Sequence, residues 1–321
     1  MVICAFSSDR LTQTVACADS VLRQEPAPDQ MVIVVDHNDA LLADLRERLP
    51  RDVEIVPNPD ARGLSSARNT AIARSRGEYI VFIDDDAIAH DGWLAHLTAA
   101  FADPAVIGAG GHARPLWAQP APDWFPPEFL WVVGCSYTGL PETGSVRNPL
   151  GCNMAFRAEL FRRAGAFNPA IGRLGSLPLG CEETEFCLRA ARAVPGSRIA
   201  LVRGAEIDHH VPATRATVRY LLRRCYFEGI SKALVRRLAD RRSLDTERAY
   251  LRQALPARVA ASFRQAARGH VAEGVGLITA VVGAVGAAAS GYVVGMIVFR
   301  IRPPAGVAPP ADHRPAEVRA A

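Results

Sequence analysis

The sequence predicts an α/β fold with a mainly parallel central sheet, followed by a separate helical region at the C-terminal end. Two observations carry this. Short apolar, β-branched runs alternate with helix-like stretches of roughly ten to fifteen residues, the signature of βαβ units. One such run, Tyr79–Ile83, ends directly in Asp84-Asp85-Asp86. A continuous apolar strand suits burial on both faces, and the carboxyl ends of such strands form the ligand crevice of open α/β sheets.

Taken in order, Val2–Phe6 reads as a first strand, Leu11–Gln24 as a helix and Met31–Val35 as a second strand. Val53–Val56 is a third, and a helical Leu64–Ser75 leads into the fourth at Tyr79. Three strand ends run into polar residues suited to a ligand: Ser7-Ser8-Asp9, Asp36-His37-Asn38 and the Asp triplet. Residues 113–150, rich in Pro, Trp and Gly, interrupt the rhythm and read as a long loop of the functional kind. Helices resume at Arg157–Ala164 and Cys181–Arg192, with a strand at Ile199–Val202 between them and the basic helical stretch that begins at Thr214.

A chain of 321 residues exceeds the usual single core, so an appendage to the α/β unit is expected. The net charge is only +4, but it is unevenly placed: Arg215–Arg264 holds twelve Arg and Lys232 against Glu228, Asp240, Asp245 and Glu247. Such a block favours an anionic partner (phospholipid, polyprenyl phosphate or nucleic acid), with a solvated helical surface as the competing reading. Gly274–Phe299 is a run without charge, 26 residues long, enough to cross a bilayer, which takes about 20. Its Gly283, Gly286 and Gly291 suit either close helix packing or a kinked hairpin. Seven scattered cysteines with no Cys-x-x-Cys pair point to reduced, buried thiols. The N-terminus opens directly into a strand, so no signal peptide is expected.

Three acids at one strand end repel each other and are costly unless a cation offsets them. A hard divalent metal carrying a phosphate-bearing substrate reconciles them; a solvated turn is the competing reading. On this view the triplet faces solvent, and removing Asp86 should spare the fold. Glu182, Glu183 and Glu185 open a helix after Gly180, where acids either complement the helix dipole or supply a base beside a closely approaching substrate.

The motifs Arg62-Gly-Leu-Ser-Ser-Ala-Arg68-Asn69, the strand into Asp84-Asp85-Asp86, Gly151-Cys-Asn153-Met-Ala-Phe-Arg157 and Gly180-Cys-Glu182-Glu183-Thr-Glu185 occur in that order. Over roughly residues 1–212 the chain resembles the family 2 glycosyltransferases of the GT-A fold. Trp124-Phe-Pro, Val133-Gly-Cys-Ser-Tyr137 and His209-His210-Val-Pro look like a subgroup acting on lipid-linked acceptors, similar to the glucosyl-dolichyl-phosphate glucuronosyltransferases. The resemblance implies that Asp36 binds the base, that Arg68 reaches the nucleotide or its phosphates, and that Asp84 and Asp86 hold Mg²⁺ or Mn²⁺, with Asp84 also toward the ribose. It implies Glu183 as catalytic base and His209 or His210 as a late pyrophosphate or metal contact. Ser7, Asp85 and Glu182 complete the expected substrate-binding set. The family more often has Asp where Glu183 stands, so Glu182 or Glu185 could share its role.

The implied partners are a nucleotide-diphosphate sugar, a lipid-linked or glycan acceptor and an anionic membrane surface, without nucleic acid, at the cytoplasmic face of the membrane. The implied layout is a GT-A domain over 1–212, a basic helical region over 213–270, a membrane-associated segment over 271–302 and a disordered tail over 303–321. A nucleotidyltransferase or a non-catalytic sugar-nucleotide-binding module is the alternative. Gly108–Ala113 imitates a dinucleotide-binding loop, but Arg114-Pro115 interrupts the helix that loop needs. Trp93 reads as a packing residue at a helix start. Trp117, Trp124 and Trp131 suit either a sugar or lipid contact or burial.

Overall fold

A computed structural model of the chain describes residues 1–172, 178–238 and 271–301. The basic stretch 239–264 and the tail 303–321, for which the sequence carried expectations, lie outside the described residues. The N-terminal half follows the alternation read from the sequence. Strands β1 (Val2–Ala5), β2 (Val32–Val35), β3 (Glu54–Pro57) and β4 (Tyr79–Asp84) are separated by α1 (Leu11–Leu22), α2 (Asp39–Arg48) and α3 (Leu64–Arg74). Asn38 caps α2 by accepting the Leu41 N–H, with Asp39 in the first turn and Arg46 and Arg48 in the last, as the helix dipole favours.

After β4 come β5 (Ala87–Ala89), α4 (Trp93–Ala99), β6 (Val106–Trp117), β7 (Gly144–Val146), β8 (Asn153–Arg157), α5 (Ala158–Ala164), α6 (Glu182–Ala193) and β9 (Arg198–Val211). The sheet runs β3-β2-β1-β4-β8-β6-β9-β5, with β7 on β9. Pairing is parallel from β3 to β4, as expected, and mixed beyond it, because β8 enters antiparallel between β4 and β6. The order β3-β2-β1-β4 places a topological switch between β1 and β4, so the crevice opens at the ends of β1, β2 and β4. One apolar cluster fills the α1/α2 face of the sheet and a second, with Phe82, Phe156, Phe167 and Phe186, fills the other.

Two readings from the sequence are corrected. The loop expected from residue 113 begins only after Trp117, and the short strand at Ile199–Val202 extends to Val211, because β6 and β9 pair along their length from Val106 to Trp117. Such long-range pairing leaves no local pattern to read. The glycine-rich stretch at 108–113 is the middle of β6; a side chain at Gly111 would collide with the Ala205 carbonyl on β9. Trp93 is fully buried, as expected, and its indole N–H donates to Asn153 at 2.9 Å.

The C-terminal region is a helical hairpin of α7 (Val218–Leu238) and α8 (Val271–Ile301). α8 is a single helix, not the kinked alternative. A side chain at Gly229 would meet the Ala288 carbonyl, and one at Gly291 the Tyr226 carbonyl, so the helices touch backbone to backbone. Ala280, Val281 and Ala284 of α8 join Leu221 and Cys225 of α7 and Phe125 and Phe129 in a third cluster, against which Trp117, Trp124 and Trp131 also pack. Among the described residues, Gly274–Phe299 is the one helix long and apolar enough to cross a membrane. Its outer face leaves Val282, Val293 and Ile297 more than half exposed.

Candidate active site

A cavity of about 1290 Å³ opens at the switch point and is lined by Asp36, Arg68, Asp84, Asp85, Glu182 and Glu183, six of the residues singled out from the sequence. Asp36, one residue past β2, is held in place: Asn58 donates to Oδ1 at 2.7 Å and the Gly63 N–H to Oδ2 at 3.0 Å. With its neighbour His37 at 2.9 Å, this leaves a fixed carboxylate at the crevice rim. Ser7 turns its hydroxyl toward Asp9 at 3.4 Å, beside Phe6 and Arg10 of the cavity wall.

The triplet divides by burial. Asp84 keeps a third of its side chain exposed, whereas Asp85 and Asp86 are buried. Arg10 Nη1 reaches Asp85 at 2.7 Å and Asp86 at 3.0 Å, and Arg215 lies 3.9 Å from Asp86. Burial, then Asp86, pushes the Asp85 carboxyl up to about 7. Burial presses Asp86 the same way, but His209, Arg10 and Arg215 outweigh it and hold that carboxyl well below the usual carboxylate range. The triplet is therefore not the solvent-facing turn expected from the sequence: its second half is locked into a cationic frame. Neither Arg10 nor Arg215 was singled out from the sequence, although Arg10 follows the end of β1 and so belongs to the same crevice.

His209 on β9 brings Nε2 to 3.2 Å from Asp86 Oδ1. Burial lowers its pKa, but the Asp86 charge and hydrogen bond prevail and raise it to about 10. His210 lies on the other face of β9, and its backbone N–H donates to the Asp86 carbonyl at 2.8 Å. One ligand atom from each of Asp84, Asp86 and His209 falls within 4.8 Å of the others. The fit to a divalent ion is good: Asp84, Asp86 and His209 offer two carboxylate oxygens and an imidazole nitrogen, a donor set of the kind such ions take, and neighbouring ligands of an octahedral ion at about 2.1 Å stand about 3 Å apart.

Facing the triplet, α6 is preceded by its cap residue Cys181, whose φ of +72° is rare for a residue with a side chain. This turn delivers Glu182 and Glu183 into the cavity. Arg68, expected to contact nucleotide, is 2% exposed; it donates to Glu182 at 2.9 Å and to the Gly151 carbonyl at 3.0 Å, with Asp84 at 3.6 Å. Its guanidinium also lies 5.5 Å from the centre of the Phe167 ring. Glu185 turns away to pair with Arg189 at 2.8 Å. Burial, then the Glu182 charge, raises the Glu183 carboxyl to about 7. The cavity thus sets the Asp84 end of the acid cluster at one wall against Glu182 and Glu183 at the other.

Fold and sequence together define a glycosyltransferase: residues 2–165 match Glycosyl transferase family 2, and the chain belongs to that family. It is 30% identical over 256 residues to the glucosyl-dolichyl phosphate glucuronosyltransferase of Haloferax volcanii, covering 78% of this chain and 81% of that protein. It is 26% identical over 236 residues to succinoglycan biosynthesis protein ExoM of Rhizobium meliloti, 71% of each chain. The fold is GT-A, shared at a TM-score of 0.60 and 21% identity with mannosyltransferase PcManGT from Pyrobaculum calidifontis in complex with GDP-Man and Mn²⁺, over 94% of this chain and 86% of that one. As a family 2 enzyme the protein transfers a sugar from a nucleotide donor, which removes the nucleotidyltransferase alternative.

Proposed function

We propose that the enzyme is an inverting, metal-dependent glycosyltransferase that moves a sugar from a nucleotide-diphosphate donor to a hydroxyl of a lipid-linked or cell-envelope glycan, at the cytoplasmic face of the membrane. The observation that carries this is Glu183, poised across one cavity from Asp84 and Asp36. Asp36 holds the base of the donor, and Asp84, Asp86 and His209 hold a divalent ion. Bound there, Mg²⁺ or Mn²⁺ neutralises the charge that develops on the leaving diphosphate. His209 would hold the ion as the neutral imidazole, its proton released to solvent. Glu183 takes the proton of the acceptor hydroxyl, and with one base attacking in line the anomeric centre inverts.

The lipid-linked acceptor is supported by the name of the Haloferax volcanii relative and by α8. The proposed division of labour keeps residues 1–212 as the catalytic domain, 213–270 as a basic helical region, 271–302 as the membrane-associated segment and 303–321 as a tail. An anionic membrane surface, not nucleic acid, is the proposed macromolecular partner. A panel of UDP- and GDP-sugars incubated with membrane lipid extract, with products read by mass spectrometry, tests the reading. A glycosylated lipid of inverted anomeric configuration, lost on adding EDTA, is expected. A product with retained configuration, or one formed undiminished in EDTA, rejects the inverting or the metal-dependent part.

A further inference from the structure

The cavity does not end at Glu183. It continues along Arg147 to the hairpin of α7 and α8, where Arg224, Lys232 and Arg236 share its wall with Glu228. These side chains sit one helical turn apart and largely buried: Arg224 reaches Glu228 at 2.8 Å and Lys232 reaches it at 3.3 Å, each of the three about 15% exposed. Burial pushes the Glu228 carboxyl up, yet Lys232 and Arg224 outweigh it and hold it down at about 2. Glu228 is therefore a fixed anion facing two cations, and Arg236 adds a third, hydrogen-bonded to the Tyr292 phenol and stacked 5.9 Å over its ring. The surplus of positive charge lies inside a cavity, where low-dielectric walls focus it on an anion.

Past these cations the wall turns apolar. Val285, Ala288, Ala289 and Val293 of α8 line it, and Val293 continues onto the exposed outer face with Val282 and Ile297. From the base outward, the wall offers a carboxylate for a hydroxyl, cations for an anion and an apolar helix for a hydrocarbon chain. That is the order of parts in a sugar joined through phosphate to a lipid.

We infer that Lys232, Arg236 and Tyr292 form the subsite for the phosphate of a prenyl-phosphate-type acceptor, whose hydrocarbon chain lies along α8. This rests on the lipid-linked acceptor proposed above and assigns the part of the wall that holds it. Lys232, the only lysine in the chain, supplies a compact point charge, and the Arg236 fork is oriented by the Tyr292 ring. Glu228 partly compensates Lys232, together with Arg224, so that the cluster is not a set of bare buried charges.

The test uses the full chain in detergent micelles with farnesyl phosphate, farnesol and inorganic phosphate as probes. Farnesyl phosphate is expected to bind at least about tenfold tighter than farnesol, the usual effect of a charge-assisted hydrogen bond, with inorganic phosphate far weaker than either. Lys232→Gln and Arg236→Gln should each lose most of that preference, while Tyr292→Phe, which keeps the ring, loses less. Binding of a nucleoside diphosphate with Mg²⁺ should be unchanged in all three, which reports that the fold is intact. Equal binding of farnesol and farnesyl phosphate, or variants that keep the preference, overturns the subsite; inorganic phosphate binding as tightly as farnesyl phosphate overturns its lipid character. Transfer to a prenyl-linked sugar with an unaltered acceptor KM in Lys232→Gln would also refute the subsite while the functional reading stands. Intact, variant-sensitive farnesyl phosphate binding with no transfer to any lipid would instead uphold the subsite and reject that reading.

Discussion

Arg68 and Glu182 form a buried ion pair, Nη1 to Oε1 at 2.9 Å, across 114 residues of sequence. The same guanidinium stands 3.6 Å from Asp84, so one cation spans the carboxylates on both sides of the cavity. It fixes the distance between the two carboxylate walls of the cavity. Removing one member of a buried pair leaves the other charge uncompensated and costs about 3–5 kcal/mol. Arg68→Ala should therefore lower stability by that order in urea denaturation, and Arg68→Ala with Glu182→Gln should recover part of it. Equal loss in the single and double variants would show that the pair is not the source.

Glu183→Gln should bind the nucleotide donor normally and lose roughly a hundred- to ten-thousandfold in turnover, the range for a missing general base. Isothermal titration with donor and a product assay separate the two effects. Inactivity in Glu182→Gln with activity retained in Glu183→Gln would move the base by one residue.

The raised Glu183 carboxyl sets a pH dependence. Burial and Glu182 favour its neutral form up to about pH 7, so kcat/KM should rise as pH increases through that value and flatten above it. The stability effect has the opposite sense. The folded state holds this proton more tightly than the unfolded chain, so stability is full below the ordinary carboxyl value of 4.5, falls as pH rises toward about 7, and is lowest above that. Glu183→Gln should raise Tm at pH 8 and hardly change it at pH 4, below the ordinary carboxyl value. A Tm gain that is the same at both pH values would contradict the assignment.

Asp84 and Asp86 should separate by their effect on the fold. Asp86 is 4% exposed and braced by Arg10, His209 and Arg215, so Asp86→Ala strands cations and should destabilise by about 3–5 kcal/mol as well as abolish ion-dependent nucleotide binding. Asp84→Asn, at a half-open site, should lose ion-dependent binding with a much smaller stability cost. Nucleotide binding with and without EDTA, beside thermal melts, distinguishes them.

Membrane attachment through α8 predicts that the full chain sediments with membranes and resists a high-salt wash. Deleting the helix would uncover Leu221 and Cys225, so substitutions on its outer face are the cleaner probe. Val282→Glu with Ile297→Glu, both more than half exposed, should release a folded protein. Retention of that variant on membranes would assign the attachment elsewhere.

Asp36 and Asp84 were legible because a doubly buried parallel strand leaves an unbroken apolar run, and whatever polar residue ends it falls in the crevice. Glu182 and Glu183 were legible from their position behind Gly180, but the partner of Glu182 was not: nothing local announces that Arg68 will fold against it. The place of His209 depends on β6 and β9 pairing over many residues, a long-range arrangement with no short motif. Arg215, Arg224 and Lys232 read as members of a basic surface, because composition counts charges without showing which side of a helix they occupy. The structure turns them inward.

The close seam of Gly229 and Gly291 makes α8 at once the outer, lipid-suited face of the protein and an inner wall of its cavity. With the lipid-linked acceptor proposed above, an enzyme built this way would sample that acceptor by lateral diffusion in two dimensions. Its rate should follow the mole fraction of acceptor among the surrounding lipids, and diluting that acceptor with inert lipid at constant bulk concentration should slow turnover as surely as removing it.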